Sequence, residues 1–319
     1  NFIIEQISST DNSILNIDKL TYAGNPENLI SIIDNPKYNF AKIDITNLTS
    51  LSKVIFKFKP NVVVHFAAES HVDRSIDSPM TFINTNIVGT ANLLEASFKY
   101  SKNKNFKFIH ISTDEVFGST KLKNGFTEVS PYNPSSPYSA SKASSDHLVR
   151  AWTRTYDFPA VITNCSNNYG PFQYPEKLIP LMIANCIDNK TLPVYGDGKN
   201  IRDWLHVKDH CNAINYIIKN GIIGESYNIG GNNQIENIDI VTKICNIMNE
   251  LRPLKNNRSY ESLISYVPDR PGHDFRYAID SSKIKKELKW LPTENFETGI
   301  RKTIQWYLNN EDWWRNIIE

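Results

Sequence analysis

Short, unbroken apolar runs recurring between longer helix-patterned segments constrain this chain more than any other feature. Residues 13–17, 40–45, 62–66, 108–112 and 160–164 each read as a strand. A strand apolar on both faces needs cover on both faces, which a parallel sheet between helix layers provides. Between the runs, residues 79–100 place Phe82, Ile83, Ile87, Leu93, Leu94 and Phe98 at helical spacing. Residues 137–155 read as a second helix, capped by Ser136 and opened by Pro137. The alternation predicts an α/β fold on a doubly wound parallel sheet with right-handed crossovers. Ligands of such sheets bind at the carboxyl ends of the strands. Asp18, Asp44, Ala67-Ala68-Glu69-Ser70 and Thr113-Asp114-Glu115 all fall there.

After Tyr169-Gly170-Pro171 the pattern changes. Turn signals crowd together at Tyr195-Gly196-Asp197-Gly198, Gly230-Gly231-Asn232-Asn233 and Arg270-Pro271-Gly272-His273. A smaller α+β lobe covering the sheet's ligand edge is expected. Residues 1–170 with about 203–229 form the sheet domain, and 171–202 with 230–319 the second lobe. Phe2, Ile3, Ile4 and Ile7 already form a helical apolar face. A sheet of this kind opens with a strand and a glycine-rich turn, so such a segment is expected just upstream of Asn1.

A net charge of +1 gives no electrostatic case for nucleic acid or an anionic membrane as partner. No apolar run reaches the roughly 18–20 residues of a membrane span, and the first residues lack the pattern of a secretory leader, so a cytoplasmic location is the default expectation. Cys165, Cys186, Cys211 and Cys245 lie far apart without a C-x-x-C pair, which predicts reduced thiols and no metal.

The chemistry concentrates in a few motifs. Tyr138 and Lys142 in Tyr138-Ser139-Ala140-Ser141-Lys142 lie one helical turn apart. An ammonium there favours the phenolate and predicts a Tyr138 pKa lowered toward working pH, a usable acid/base for a hydroxyl-to-carbonyl step. Alone, the same spacing also describes a solvated helix face. Asp114 and Glu115, adjacent where the fourth strand ends, can divide acid and base duties; the alternative is a turn with solvated acids. Asp18 after the first run can accept from ribose hydroxyls and repel a 2′-phosphate, favouring NAD over NADP, although Lys19 beside it weakens that preference. Arg202 and Arg270 offer planar forks for a diphosphate, with surface ion pairing as the alternative.

Four segments together resemble the extended short-chain dehydrogenase/reductases. They are residues 67–75 (Ala67-Ala68-Glu69-Ser70-His71-Val72-Asp73-Arg74-Ser75), 112–116, 136–143 and 164–171 (Asn164-Cys165-Ser166-Asn167-Asn168-Tyr169-Gly170-Pro171). Within that group they are most similar to the dTDP-glucose 4,6-dehydratase family, whose sheet is a Rossmann sheet. Residues 175–180, Arg202-Asp203-Trp204 and Asp269-Arg270-Pro271-Gly272-His273-Asp274 extend the likeness to the sugar-nucleotide lobe.

The resemblance implies an NAD-dependent hydro-lyase that converts a nucleoside-diphosphate glucose to its 4-keto-6-deoxy derivative, an early step of rhamnose-type deoxysugar synthesis. It makes Tyr138 the base on the sugar 4-hydroxyl, and Lys142 its partner and a holder of the nicotinamide ribose. Thr113 hydrogen-bonds O4, Glu115 takes the C5 proton, and a protonated Asp114 feeds the leaving 6-hydroxyl. NAD is implied at Asp18, Asp44, Ile45, Phe66, Ala67, Ala68 and Asn168. Substrate contacts are implied at Ser70, Asn167, Lys177, Leu178, Pro193, Tyr195, Arg202, Asn237, Arg270 and His273. Helices 79–100 and 137–155 correspond to those of the family's homodimer. Phe117 departs from the usual Tyr after the triplet.

The base stays open between dTDP-glucose and UDP-glucose, since one methyl is worth about 1–3 kcal/mol. A 4-epimerase or decarboxylase of the same fold is the second reading, against which the Asp114–Glu115 pair argues. A non-catalytic NAD-binding scaffold is the third, and every residue of the motifs argues against it.

Overall fold

The computed structural model describes residues 1–102 and 105–318. Its strands are β1 Ile14–Asp18, β2 Tyr38–Lys42, β3 Val62–His65, β4 Lys107–Thr113, β5 Ala160–Cys165, β6 Asn167–Tyr169, β7 Leu192–Tyr195, β8 Ile201–His206, β9 Ser226–Ile229, β10 Gln234–Glu236 and β11 Ile264–Val267. Four of them form a parallel sheet in the order β3-β4-β5-β9, with Val64 opposite Ile109 and Ile109 opposite Val161. β1 and β2 form a separate parallel pair, Ile17 opposite Ala41.

Side chains alternate across the four-stranded sheet, so each face has its own core. Phe108 and Ile162 point to one face, where Leu51, Ile55, Leu93, Leu94, Val149 and Phe158 cover them. Ile109 and Val161 point to the other, against Ile214, Ile217, Tyr227 and Trp290. This two-sided burial is what the unbroken apolar runs required, and the fold is α/β as expected.

Three expectations need correction. The second strand ends at Lys42 rather than near Asp44, because the Asp44 Oδ1 accepts from the Thr46 N–H at 2.9 Å and turns the chain. Asp44 and Ile45 therefore lie in the turn beyond it. The segment 79–100 is not one α-helix: Pro79–Phe82 is α-helical, Ile83–Gly89 is π-helical, and Thr90–Ser101 is α-helical again. The wide turn rotates the stripe, so Ile83 is exposed while Thr85, Asn86, Gly89 and Thr90 are buried. Gly89 abuts Ile45 so closely that a Cβ there would lie 2.5 Å from its Cδ1. Third, the expected division at residue 230 puts residues 282–290 with the second lobe. Ile284, Leu288 and Trp290 instead fill the core beside Tyr227 and Ile229, and Lys283 Nζ donates to the Ser226 carbonyl at 2.9 Å. The apolar face of helix Ser282–Leu288 matches that core.

The remaining elements build a mixed unit. β8 lies between β6, parallel to it, and β10, antiparallel to it, while β7 pairs with β11. Helices Leu178–Ile187, Asn237–Leu251 and Phe296–Asn309 pack there around Trp204, Tyr260, Tyr307 and Trp314. Among the described residues no helix is long and apolar enough to cross a membrane.

Candidate active site

The site forms where β4 stops. Thr113, the last residue of β4, caps a short 3-10 turn, Asp114–Phe117, its Oγ1 accepting from the Glu115 N–H at 3.2 Å. Gly118 then takes φ +77°, and a Cβ there would meet the Asn133 carbonyl oxygen at 2.2 Å. Only glycine tolerates both conditions, and the chain folds back so that Asp114 is buried.

Helix Pro137–Tyr156 supplies the second wall. The Ser136 Oγ accepts from the Ser139 N–H at 3.1 Å, fixing the first turn. Tyr138 and Lys142 are both buried on this helix, 8% and 4% exposed, so they do not belong to a solvated face. The Ser139 hydroxyl donates to Glu115 Oε2 at 3.0 Å, tying the helix to the acidic turn.

Electrostatics separate the two acids. Burial pushes Asp114 well above the usual carboxylate range, and the charges of Glu115 and Asp203 push it further. Burial raises Glu115 as well, but Arg202 and the Ser139 hydroxyl hold it down. The pair therefore favours a protonated Asp114 beside an ionisable Glu115.

Tyr138 departs from expectation. Burial, with Glu115 and Cys165 next in weight, pushes its hydroxyl well above the usual tyrosine value. The expected lowering by Lys142 is not found, because the Lys142 ammonium is turned to the Ile111 carbonyl, 2.8 Å away.

Around the carboxyl ends of β1 and β3 the side chains suit a dinucleotide. Asp18 is exposed, with Oδ1 accepting from the Leu20 N–H at 2.7 Å. Lys19 pairs with Asp44 at 2.9 Å, so its charge is partly neutralised there. Half-buried Ala67 and Ala68 follow β3 with no bulk to obstruct a ligand, and Phe66 is exposed against Phe2 at 5.5 Å. Asn168 is fixed through His210, whose Nδ1 lies 2.9 Å from its Oδ1. Asn167 Oδ1 is buried without a partner, an acceptor left for a ligand. These residues fit NAD.

Of the residues expected at the substrate, five come together in two sets, and the others stand apart. Tyr195, Arg270 and His273 come together: the Arg270 guanidinium lies 5.1 Å over the Tyr195 ring, and the His273 ring is 6.2 Å from it. Ser70 and Lys177 meet directly, Lys177 Nζ donating to the Ser70 carbonyl at 2.9 Å. Arg202 is buried over Tyr277 at 4.2 Å and donates to the carbonyls of Ile201 and Asp274. Leu178 opens the helix Leu178–Ile187 and packs on its core, Pro193 sits in β7 opposite Ser265, and Asn237 has a buried Oδ1 without a partner.

Residues that the sequence reading passed over also shape the site. Asn86 donates to the Glu69 carbonyl at 3.0 Å and to Ser141 Oγ at 2.8 Å, and accepts from the Glu69 N–H at 2.9 Å. Asp203 accepts from the N–H groups of Gly231 and Asn233 at 2.9 and 2.6 Å, which shapes the Gly-Gly-Asn-Asn turn. Ser139 was within the quoted motif, and only its contact with Glu115 reveals it.

A family model described as GDP-mannose 4,6 dehydratase matches residues 1–303. The dTDP-glucose 4,6-dehydratase of Neisseria meningitidis serogroup B is 56% identical over 98% of this chain and 90% of its own. The chain belongs to the dTDP-glucose 4,6-dehydratase family. Solved dehydratases agree: DesIV of Streptomyces venezuelae, with NAD bound, superposes with a TM-score of 0.92 at 39% identity, covering 99% of this chain and 95% of that one. The Bacillus anthracis dTDP-glucose 4,6-dehydratase, in complex with NAD, gives 0.88 at 46% over the same shares. Within this dehydratase, Phe117 is 1% exposed and stacks on Phe126 at 5.5 Å, inside a small apolar cluster with Val116 and Ala143. A tyrosine hydroxyl is not needed there.

Proposed function

We propose that the chain catalyses the NAD-dependent 4,6-dehydration of dTDP-glucose to the 4-keto-6-deoxy sugar nucleotide. The observation that carries this reading is the split acid pair, a buried Asp114 pushed well up beside a Glu115 that Arg202 restrains, the charges of both acting on Tyr138. Epimerisation needs one acid/base on the 4-hydroxyl, whereas elimination across C5–C6 needs one group to take a proton and another to give one. Bound NAD would accept hydride from C4 and return it to C6, so net redox is zero.

The chain's own residues do the rest. Tyr138 takes the 4-hydroxyl proton, and Thr113 hydrogen-bonds O4. The resulting ketone acidifies C5–H, Glu115 removes that proton, Asp114 protonates the departing 6-hydroxyl as water, and Glu115 returns its proton to C5 as hydride reaches C6. Lys142 and Asp18 would hold the cofactor ribose groups, and Arg202, Arg270 and His273 the substrate's phosphate end. The four-stranded sheet with the β1–β2 pair would thus serve NAD, and the β6–β8–β10 and β7–β11 sheets the sugar nucleotide.

Ile76, Met80, Ile83 and Val88 are exposed apolar side chains on the segment 72–89 that a second copy of the chain would cover. Incubation with dTDP-glucose and, separately, UDP-glucose tests the reading by mass spectrometry. Loss of one water without net NADH supports it, with faster conversion of the thymidine substrate. No loss of water from either, with NAD shown to be bound, sinks it.

A further inference from the structure

Beneath the catalytic residues, helix Pro137–Tyr156 carries a line of polar groups at four-residue spacing: Tyr138, Lys142, Asp146 and Arg150. Residues at that spacing share one helix face. The first two belong to the site described above. Asp146 does not, yet it is 0% exposed, and a buried carboxylate without compensation is costly enough to demand a reason.

Its surroundings supply the compensation. Asp146 Oδ2 accepts from the Tyr132 hydroxyl at 2.8 Å and from Asn164 Nδ2 at 3.1 Å. Asn164 Nδ2 also donates to the Thr113 carbonyl at 3.2 Å, so one amide bridges Asp146 to the first residue of the acidic triplet. The Tyr132 hydroxyl accepts from Arg150 Nη2 at 2.8 Å. On the sheet side Asp146 Oδ1 lies 3.2 Å from His110 Nε2, with the His65 ring tilted against that of His110 at 5.2 Å. His147 packs against the Tyr132 ring at 5.5 Å.

The charges in this nest are few. His65 and His110 are pulled down by burial and by the nearby Lys142, so both are neutral. Burial raises Asp146, but His110, Lys142 and Ser112 outweigh it, and the group lies below the usual carboxylate range. Burial pulls Lys142 down, and Asp146 and Cys165 oppose that pull. Cys165 is itself held as a thiol by burial, which pushes it up to about 12. Asp146 is therefore the one ionised acid among these groups, one helical turn from Lys142, and its charge opposes the loss of the Lys142 proton. Arg150 reaches the carboxylate through the Tyr132 hydroxyl.

We propose that Asp146 is a positioning residue for the dehydration, anchoring Lys142 electrostatically one turn away and the Thr113 backbone through Asn164. It touches neither substrate nor cofactor and acts through those two groups. The proposal rests on the reading of Lys142 and Thr113 given above.

The test compares the purified enzyme with Asp146→Asn across pH, with dTDP-glucose as substrate and bound NAD and circular dichroism as checks on the fold. The isosteric amide keeps the shape and removes the charge. Expected are a kcat lower by about tenfold or more, a KM within about threefold, and an alkaline limb displaced to lower pH by about one unit or more, as Lys142 loses its proton earlier. A lower kcat with the alkaline limb unmoved, or an unchanged kcat, overturns the proposal. Failure of the unsubstituted enzyme to release water would instead sink the functional reading.

Should Asp146→Asn not fold, thermal melting of Lys142→Met and of the double variant Lys142→Met/Asp146→Asn decides. Lys142→Met strands the carboxylate, so the double variant should melt above it. A double variant that melts at or below Lys142→Met overturns the anchoring.

Discussion

Asp73 grips Arg270 with both carboxylate oxygens, Oδ1 at 2.7 Å from Nε and Oδ2 at 3.0 Å from Nη2, although 197 residues separate them in the chain. The Tyr195 hydroxyl shares the same Oδ2 at 3.4 Å. A substrate diphosphate that takes Arg270 must displace this carboxylate. Asp73→Asn should therefore tighten binding of dTDP by about two- to fivefold, the range of a half-exposed ion pair worth up to ~1 kcal/mol. Isothermal titration at two salt concentrations checks it, and weaker binding would show that Asp73 orients Arg270 rather than competing for it.

Asp114→Asn should stop elimination while leaving oxidation at C4. The buried position keeps its shape, but no proton reaches the 6-hydroxyl. Product formation should fall by about 10²-fold or more, with reduced nicotinamide accumulating on the enzyme and visible in its absorbance. Undiminished product would remove Asp114 from its role.

Tyr138→Phe should abolish the first proton transfer and lower kcat by about 10²–10⁴-fold. The ring packs edge-on against Phe82 at 6.3 Å, so the fold and NAD content should be retained. Loss of NAD content would point to a binding role for the hydroxyl instead.

The acid limb of kcat/KM reports Glu115, which must be ionised to take a proton. Burial raises it, so activity should be lost as pH falls through a value above that of an ordinary glutamate. Arg202 restrains that rise, and Arg202→Met should carry the limb to still higher pH. An acid limb at the ordinary value, unmoved by Arg202→Met, would contradict the assignment.

His65, His110 and His210 are all held below the usual histidine value by burial, His210 at about 4. At these three positions the unfolded chain binds more protons than the folded one below about pH 6.5. Their contribution to stability is complete above that pH and is lost as pH falls; the His210 share reaches roughly 3 kcal/mol once pH passes its folded value. Thermal melting from neutral pH downward should show the loss, and His210→Asn should blunt it.

How much was legible depended on what kind of force set each feature. The strands were readable because parallel strands under two helix layers must be apolar on both faces, as Val161 and Ile162 show. Tyr138, Lys142, Asp114 and Glu115 were readable because spacing and position at strand ends brought them together. The direction of the Tyr138 shift was not, because it depends on which way the Lys142 ammonium points and on the depth of burial. Asn86 and Asp146 stayed hidden for a shared reason. A polar residue within an amphipathic helix looks like solvent-facing surface until the buried partner from a distant strand or loop is placed against it. The continuation of the Tyr138–Lys142 spacing to Asp146 was the one clue on offer.

The π-helical stretch Ile83–Gly89 carries a further lesson, about insertions and deletions rather than substitutions. A wide turn of this type accommodates more chain per turn than an α-helix. Removing one residue from the stretch would let it close to an ordinary α-helical turn, so the register of Thr90–Ser101 would largely hold while the residues inside the stretch change face.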